Sequence, residues 1–269
     1  MTQDERTEAS RAPLDQQVLA GQLPAGWQLE VVAETGSTNA DLLAAAERGA
    51  PDRSVRVAEL QTSGRGRLDR GWQSPAGAGL TVSVLLRPPA PHQSWGWLPL
   101  IAGLALSRGL GEQALLKWPN DLVMGPEQAK VAGILGETAG AAVVLGIGIN
   151  VSTRAEELPV PTASSLALQG YPVLDRGQLL TNLLIGLDAE LARWYDHDGD
   201  AAAAGLAQDY RARCATIGSE VSVQLPDRAE QGHAVAVDDL GRLVVQPAGG
   251  AEPIAVAAGD VTHIRPVQG

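Results

Sequence analysis

Residues 64–72 read GRGRLDRGW, which places three arginines, three glycines and one tryptophan within nine positions of an acidic protein. Glycine allows backbone conformations with positive φ and a close approach of the chain to a ligand. The planar arginine side chain matches phosphate or carboxylate oxygens with two parallel hydrogen bonds. The stretch therefore indicates an anion-binding loop, in which Trp72 can face a nucleobase. Taken alone, such a cluster also fits a solvated surface loop.

Composition limits the class of protein. The chain has 269 residues, 45% of them hydrophobic, which suits a folded protein with a core of its own. A formal net charge of -11 argues against general affinity for nucleic acid, because nonspecific binding to phosphate backbones needs a basic surface. The first 12 residues do not resemble a signal peptide, and the apolar runs are too short to span a membrane. A single cysteine, Cys214, fits a reducing compartment, so we expect a cytoplasmic protein.

Hydrophobic periodicity and turn signals predict a mixed α/β (α+β) fold. Residues 1–26 are expected to be a mostly flexible N-terminal segment with a short amphipathic helix around 13–23. A larger domain is expected over 27–216, with packed helices and a mixed, largely antiparallel sheet. Residues 217–269 predict a small β-barrel of short alternating strands, with a hairpin turn at 238–241. No DNA-binding winged domain fits into the N-terminal segment.

Individual elements follow from the same signals. A helix is predicted to begin at Thr38, where Thr38 and Asp41 have the spacing of a capping box. A meander of short strands separated by turn signals is predicted over residues 114–117, 122–124, 130–137 and 142–149. Further helices are predicted over residues 95–110, after Asp175, and over 201–213.

Polar side chains recur beside apolar segments in four more places. Residues 34–39 (ETGSTN) put hydroxyl and amide groups at a predicted helix start, where free backbone amides can orient a polar ligand. Residues 117–121 (KWPND) place a cation and a carboxylate around a tight turn. Residues 130–135 (KVAGIL) begin an apolar strand with a lysine, and 146–150 (GIGIN) end one with an amide. Each cluster alone also fits a structural cap, a surface charge or a turn.

The five motifs GSTN, GRGRxxRxWxSP, KWPND, KxxGIL and GIN occur together in the order typical of biotin protein ligases, and the chain resembles that family most strongly over residues 31–165. The resemblance implies a catalytic domain like that of class II aminoacyl-tRNA synthetases, an SH3-like C-terminal domain, and the monofunctional type of ligase. It also implies a two-step reaction. Biotin and MgATP give biotinyl-5'-AMP and pyrophosphate, and a lysine of a carrier domain then attacks the mixed anhydride.

The same resemblance assigns roles to individual residues. Those expected at biotin are Ser37, Thr38, Asn39, Gln61, Gly64, Arg65, Lys130 and Gly133. Those expected at ATP or the adenylate are Arg67, Arg70, Trp72, Lys117, Asn120 and Asn150. The catalytic set is Lys130, Arg67, Asp121 and Lys117, with Lys130 bridging the biotin carboxylate and a phosphate. We expect ATP phosphates to hold Mg2+ for the most part, and whether Asp121 serves that metal or the incoming lysine stays open.

A carrier partner follows from the resemblance as well. It is the biotin carboxyl carrier domain of a biotin-dependent carboxylase, and edge-strand pairing is one way for it to dock. The same edge could join two copies, so both a monomer and a homodimer stay open, with neither nucleic acid nor membrane as a partner. The arginine loop, over residues 62–73, is expected to be poorly ordered until ligand binds. Arg265 is a candidate contact for ATP or the acceptor.

Two alternative functions stay open. A lipoate ligase or octanoyltransferase of the same superfamily would share the fold and activate another carboxylate, although the arginine loop argues against it. A non-catalytic biotin-binding regulator would keep the pocket without transfer. The presence of Lys130 together with the three loop arginines favours the enzyme.

Overall fold

Two sheets organise the chain, a seven-stranded sheet followed by a five-stranded one. The computed structural model describes residues 11–68, 70–224, 229–257 and 261–263. The seven strands of the first sheet are β1 (Gln28–Thr35), β2 (Ser54–Gln61), β3 (Gly79–Leu86), β4 (Ala114–Lys117), β5 (Asp121–Met124), β6 (Ala129–Ala139) and β7 (Ala142–Asn150). Their order is β1-β2-β3-β7-β6-β5-β4, with β1 and β2 parallel and the other neighbours antiparallel. The predicted mixed sheet and its β4 to β7 meander are confirmed.

Helices cover both faces of this sheet. They are α1 (Gln16–Ala20), α2 (Thr38–Glu47), α3 (Leu98–Leu110), α4 (Arg176–Tyr195) and α5 (Leu206–Arg213). On one face α2 packs with Leu42 against Leu85 and Val144. The other face joins the main core, where leucines of α3 and α4 pack with buried tryptophans. All eight residues of β3 are buried as a result, since the strand lies in the middle of the sheet. Among the described residues, no helix has the length and apolar character to cross a membrane.

The start of α2 corrects one prediction. The helix begins at Thr38 as expected, but its N-cap is Ser37, whose hydroxyl accepts a hydrogen bond from the backbone N–H of Ala40. Asp41 does not complete a capping box with Thr38. Its carboxylate instead accepts from the Thr35 hydroxyl and pairs with Arg56. The Thr38 hydroxyl is therefore left for the cleft described below.

Two predicted helices are shorter than expected. Residues 95–110 divide into a 3-10 helix (His92–Trp97) and α3, which carries a proline in its first turn, where the missing N–H costs no helical bond. Residues 201–205 form turns, and α5 starts only after Gly205, whose φ of 72° is left-handed. Strand β1, for which no element was predicted, forms the edge beside β2.

Residues 11–26 contact the larger domain. Arg11 pairs with Glu157 at 2.7 Å, and Arg176 donates to the carbonyl of Ala12 at 2.6 Å. The expected short helix is present as α1. Within the segment predicted to be mostly flexible, the described residues are thus attached by specific bonds, while residues 1–10 lie outside the described part. The domain boundaries at 27 and 217 stay predictions.

The C-terminal domain is a small antiparallel sheet. Its strands are β8 (Glu220–Gln224), β9 (Ala229–Val237), β10 (Leu243–Pro247), β11 (Ile254–Val256) and β12 (Val261–His263), in the order β11-β10-β9-β8-β12. The predicted hairpin turn at 238–241 joins β9 to β10. The expected small β-domain is confirmed. Arg265 lies outside the described residues.

Candidate active site

One cavity of about 860 Å³ gathers the predicted site residues. It opens over β6 and β7 and is bordered by the start of α2, the arginine loop and the turn between β4 and β5. The predicted residues that line it are Ser37, Thr38, Asn39, Gln61, Arg65, Arg67, Arg70, Trp72, Lys117, Asn120, Asp121, Lys130, Gly133 and Asn150. The five motifs, far apart along the chain, therefore meet at one cleft.

Gly64 is the predicted residue that does not line the cavity. Its carbonyl accepts a hydrogen bond from the backbone N–H of Trp72 at 2.8 Å, which joins the two limbs of the arginine loop. A Cβ at Gly64 would lie 2.3 Å from the Trp72 carbonyl oxygen. The structure thus gives this glycine a role in joining the two limbs of the loop, and the expected contact with biotin stays a prediction.

A polar network extends from the start of α2. Both the backbone N–H and the hydroxyl of Thr38 donate to Gln61 Oε1, at 2.8 and 2.9 Å. Ser83, fully buried on β3, lies 2.7 Å from the Thr38 hydroxyl and 2.5 Å from Asn39 Oδ1. Sequence reasoning missed Ser83, although a polar residue inside the apolar run LTVSVLL is a visible signal. These bonds hold hydroxyl and amide groups in fixed positions at one end of the cleft.

The network continues to the arginine loop through Glu137. Asn39 Nδ2 donates to one Glu137 oxygen at 2.7 Å, and the guanidinium of Arg65 lies 3.2 Å from the other. Sequence reasoning also missed Glu137, which follows the KVAGIL motif on β6. One carboxylate therefore couples the loop to the start of α2. A Cβ at Gly146 would lie 2.3 Å from Asn39 Oδ1, so a glycine is needed there to leave room for the amide.

Lys130 and Asp121 form an ion pair on neighbouring strands. The ammonium Nζ lies 2.6 Å from Asp121 Oδ1. The pairing of β5 with β6 shifts register between Leu122 and Val123, and such a bulge redirects the side chains beside it. The backbone of Lys130 is also hydrogen-bonded to segment 162–164. Its N–H donates to Thr162 O at 2.9 Å, and its carbonyl accepts from the N–H of Ser164 at 2.7 Å. The catalytic lysine predicted from sequence is thus held at its backbone and at its charged end.

The arginine loop folds over the cleft as a small hairpin. The N–H of Gly66 donates to the carbonyl of Arg70 at 2.6 Å, and Arg65 forms a bridge with Gly71. Arg67 donates to Asn120 Oδ1 at 3.2 Å. Asn120 is itself fixed, because its Nδ2 donates to Ile134 O at 3.1 Å. The loop therefore rests on the 117–121 turn across the cavity.

Trp72 projects into the cavity and rests on glycines of two strands. A Cβ added at Gly148 would lie 2.3 Å from the Trp72 indole, and a Cβ added at Gly133 would lie 3.1 Å from it. Lys130 Nζ is 5.7 Å from the ring centroid, a distance that suits a cation–π contact. Within the part of the chain that the structure describes, the indole Nε1 is buried without an acceptor. A flat aromatic surface thus stands beside the Lys130 ammonium.

Charge in the cleft runs opposite to that of the whole chain. Three arginines and two lysines line the cavity, and Asp121 is the acidic residue among the described residues that do so. Asn150 lies at the far end, and its Nδ2 donates to Ser164 O at 2.9 Å, which orients the amide. Basic side chains in a partly enclosed cleft attract and hold anions. The site is therefore built for an anionic ligand with room for apolar and aromatic parts.

Known proteins with the same sequence features identify the family. The chain is 45% identical to the biotin–[acetyl-CoA-carboxylase] ligase of Mycobacterium tuberculosis (strain ATCC 25618 / H37Rv), over 95% of this chain and 97% of that protein. The chain belongs to the biotin protein ligases. Its resemblance to that family, stated from five motifs, is confirmed.

Profiles and solved structures agree with this membership. Residues 33–153 match the Biotin/lipoate A/B protein ligase family, and residues 216–263 match the Biotin protein ligase C terminal domain. The biotin protein ligase from Aquifex aeolicus, solved in complex with biotin and ATP, superimposes with a TM-score of 0.71 at 28% identity, over 88% of this chain and 99% of that one. The bifunctional ligase/repressor BirA of Bacillus subtilis (strain 168) is 30% identical over 81% of this chain and 68% of its own length.

The cleft of this biotin protein ligase offers few metal ligands. No group of three or more His, Cys, Asp or Glu among the described residues could hold a metal ion. Mg2+ usually keeps several waters and binds through one or two carboxylates plus substrate phosphates. Asp121 is the carboxylate among the described residues that line the cleft, and the expectation that ATP phosphates supply most of the ligands stays a prediction.

Proposed function

We propose that this biotin protein ligase joins biotin to ATP in the cleft, forming biotinyl-5'-AMP, and then transfers the biotinyl group to a lysine of a biotin carboxyl carrier domain. The observation that carries the proposal is the convergence of Lys130 and the three loop arginines on one cavity of about 860 Å³. Ligand pockets commonly measure about 300–1,000 Å³, so one cleft of this size can hold both reactants.

In the first step, an oxygen of the biotin carboxylate attacks the α-phosphorus of ATP and pyrophosphate leaves. Two anions must approach each other, so cations have to offset their repulsion and the charge that develops at phosphorus. We assign this role to Lys130, and the 2.6 Å ion pair between its ammonium and Asp121 supports the assignment. Arg67 and Arg70 on the loop and Lys117 on the turn supply positive charge from two other sides of the cavity.

The two ends of the cleft suit the two ends of the adenylate. Ser37, Thr38 and Gln61 form the hydroxyl and amide group that we assign to the ureido ring of biotin, with Gly133 in the wall beside the valeryl chain. Trp72 and Asn150 are assigned to the adenine, by stacking and by hydrogen bonding. Mg2+ on the phosphates would add positive charge at the same place, next to Asp121.

In the second step, the carrier lysine attacks the carbonyl carbon of the mixed anhydride. An amide forms, the bond to the phosphate oxygen breaks, AMP leaves, and the amine loses its proton. We assign the orientation of that amine to Asp121, which is the acidic residue among the described residues that line the cavity. Closure of the arginine loop over the cavity would keep water from the anhydride before transfer.

The wider setting belongs to the same proposal. Strands β1 and β4 form the edges of the seven-stranded sheet, and we propose that the carrier docks along one of them. The same edges suit a homodimer as an alternative to a monomer. The enzyme is proposed to act in the cytoplasm, without nucleic acid or membrane as a partner.

Pyrophosphate release from ATP tests the first step, with biotin and lipoate compared in parallel. We expect release with biotin and none with lipoate. Turnover with lipoate alone would support the lipoate ligase alternative. A second assay follows labelling of a carrier-domain lysine, compared with a carrier whose lysine is replaced by alanine. Biotin binding without pyrophosphate release or labelling would support the non-catalytic regulator.

A further inference from the structure

The hairpin turn between β9 and β10 docks on the larger domain through two tryptophans. Trp118 Nε1 donates to the carbonyl of Gly241 at 3.0 Å, and Trp97 Nε1 donates to that of Asp239 at 2.7 Å. The two tryptophans are 2% and 1% exposed. A buried indole N–H that loses its acceptor is costly, so each bond ties a tryptophan to a defined point on the turn.

Hydrogen bonds within the turn hold its conformation. One oxygen of Asp238 accepts from the backbone N–H groups of Leu240 and Arg242, and the other accepts from the Arg242 side chain. Gly241 has a φ of 79°, and an added Cβ would lie 2.9 Å from a methyl carbon of Leu100. The carbonyl that meets Trp118 is therefore fixed by its own turn and by the surface on which it rests.

Trp118 connects this turn to the active site, because it lies in the 117–121 turn and itself lines the cleft, while its indole N–H is bonded to Gly241. Two residues further on, Asn120 accepts the hydrogen bond from Arg67, and Asp121 pairs with Lys130. The backbone N–H of Trp118 donates to the Thr216 hydroxyl at 2.9 Å, at the junction of the two domains. The front of the 117–121 turn thus holds the loop and the catalytic lysine, while its back is held by the C-terminal domain.

We propose that Trp118 is a positioning residue through which the C-terminal domain sets the geometry of the 117–121 turn for adenylate formation. The inference rests on the proposed function. Misplacement of reacting groups by about 1 Å can lower a rate about 100-fold, so a small shift of the turn is enough. Trp97 makes the equivalent bond to the same hairpin but lies in a 3-10 helix that does not border the cavity. It therefore controls for the loss of one bond to the hairpin, and the double-variant cycle below separates positioning from a direct effect of Trp118 on the cleft.

The test compares W118F with W97F. Phenylalanine keeps an aromatic ring and removes the N–H, so both variants lose one bond between the domains, and we expect similar losses of thermal stability. W118F should lower kcat for biotin-dependent pyrophosphate release by at least about tenfold, whereas W97F should stay within about twofold of wild type. Equal rates for the two folded variants would overturn the proposal. A wild-type enzyme that releases no pyrophosphate would instead overturn the proposed function.

A double-variant cycle separates positioning from a general structural role. If Trp118 acts through the turn, W118F should cost much less activity in an N120A background than in wild type, because the contact that it positions is already lost. Additive losses would contradict this route. Should W118F fail to fold, Thr216→Val removes the hydrogen bond from the Trp118 backbone N–H and should also lower kcat. Thr216→Ser keeps the hydroxyl and should retain the wild-type kcat. Full activity of folded Thr216→Val would count against the proposal.

Discussion

Lys130 and Asp121 face each other from β6 and β5, with Nζ 2.6 Å from Oδ1. The Lys130 side chain is held at its ammonium by this carboxylate, and the Lys130 backbone is hydrogen-bonded to segment 162–164. The ammonium therefore occupies a defined place in the cavity rather than a range of surface rotamers. Preorganised charge of this kind stabilises a transition state without reorganisation during the reaction.

Replacing this ammonium should remove most adenylate synthesis. We expect Lys130→Met to lower kcat for pyrophosphate release by about 100- to 1,000-fold, the usual cost of losing a preorganised electrostatic group. Steady-state kinetics at saturating biotin and ATP would measure it, with circular dichroism to show that the variant is folded. Arg48→Met, at an exposed position outside the cavity, should retain wild-type activity. Full activity of a folded Lys130→Met variant would remove the basis of the proposed mechanism.

The Arg65 to Glu137 contact should control how readily the arginine loop opens. Both side chains are partly exposed, so the pair itself is worth little, but Glu137 also holds Asn39. We expect Glu137→Gln to increase tryptic cleavage at the loop arginines several-fold. Biotin with ATP should slow cleavage of the wild type, because we propose that the loop closes over bound ligands.

Limited proteolysis with mass spectrometric mapping of the cleavage sites checks this expectation. Cleavage after Arg48, away from the loop, serves as the internal reference. Equal cleavage near Arg67 with and without ligand would argue against loop closure. Equal cleavage rates for Glu137→Gln and wild type would show that the contact between Arg65 and Glu137 does not control loop opening.

Arg176 should be a major contributor to stability. It is 2% exposed, and its guanidinium lies 2.6 Å from a Glu59 oxygen and donates to the carbonyls of Gly79 and Ala12. Removal of one partner of a buried pair leaves the other charge uncompensated and costs about 3–5 kcal/mol. We expect Arg176→Met to lower the free energy of unfolding by about that amount, measured by urea denaturation. A change below about 1 kcal/mol, the level of an exposed pair, would show that Glu59 finds another partner.

Acid should loosen the N-terminal segment through Glu157. Its hydrogen bond from Arg11 lowers the pKa of Glu157 below its ordinary value of 4.5. Between the folded and unfolded pKa values, the unfolded chain binds a proton that the folded chain does not, so stability rises with pH in this window. The contribution is fully present above about pH 4.5 and is lost as the pH falls through the lowered pKa.

Melting temperatures of wild type and Glu157→Gln between neutral and acidic pH would measure this effect. The Arg11–Glu157 pair is partly exposed, so at neutral pH the two proteins should differ in free energy of unfolding by no more than about 1 kcal/mol, with a correspondingly small difference in melting temperature. We expect the two curves to converge at the acidic end. A difference that persists unchanged at low pH would mean that Glu157 stabilises the fold without its charge.

The sequence by itself determined the chemistry of the cleft and most of its framework. Arginine, lysine and glycine at fixed spacings identify an anion site because their charge and backbone freedom are properties of the residues themselves. Alternating apolar residues likewise indicated the meander from β4 to β7, since the side-chain period of a strand is local. The family followed from the same motifs.

The tertiary structure alone decided which distant groups meet. Local periodicity carries no information about the bond between Trp118 and Gly241, which are 123 residues apart, or about Glu137 reaching both Asn39 and Arg65. Local sequence signals also did not distinguish Ser37 from Thr38 as the N-cap of α2, because either hydroxyl can cap a helix. The choice depends on Gln61, which accepts a hydrogen bond from the Thr38 hydroxyl only in the folded chain. Such contacts depend on the packing of strands and domains, so they become visible only when the chain is folded.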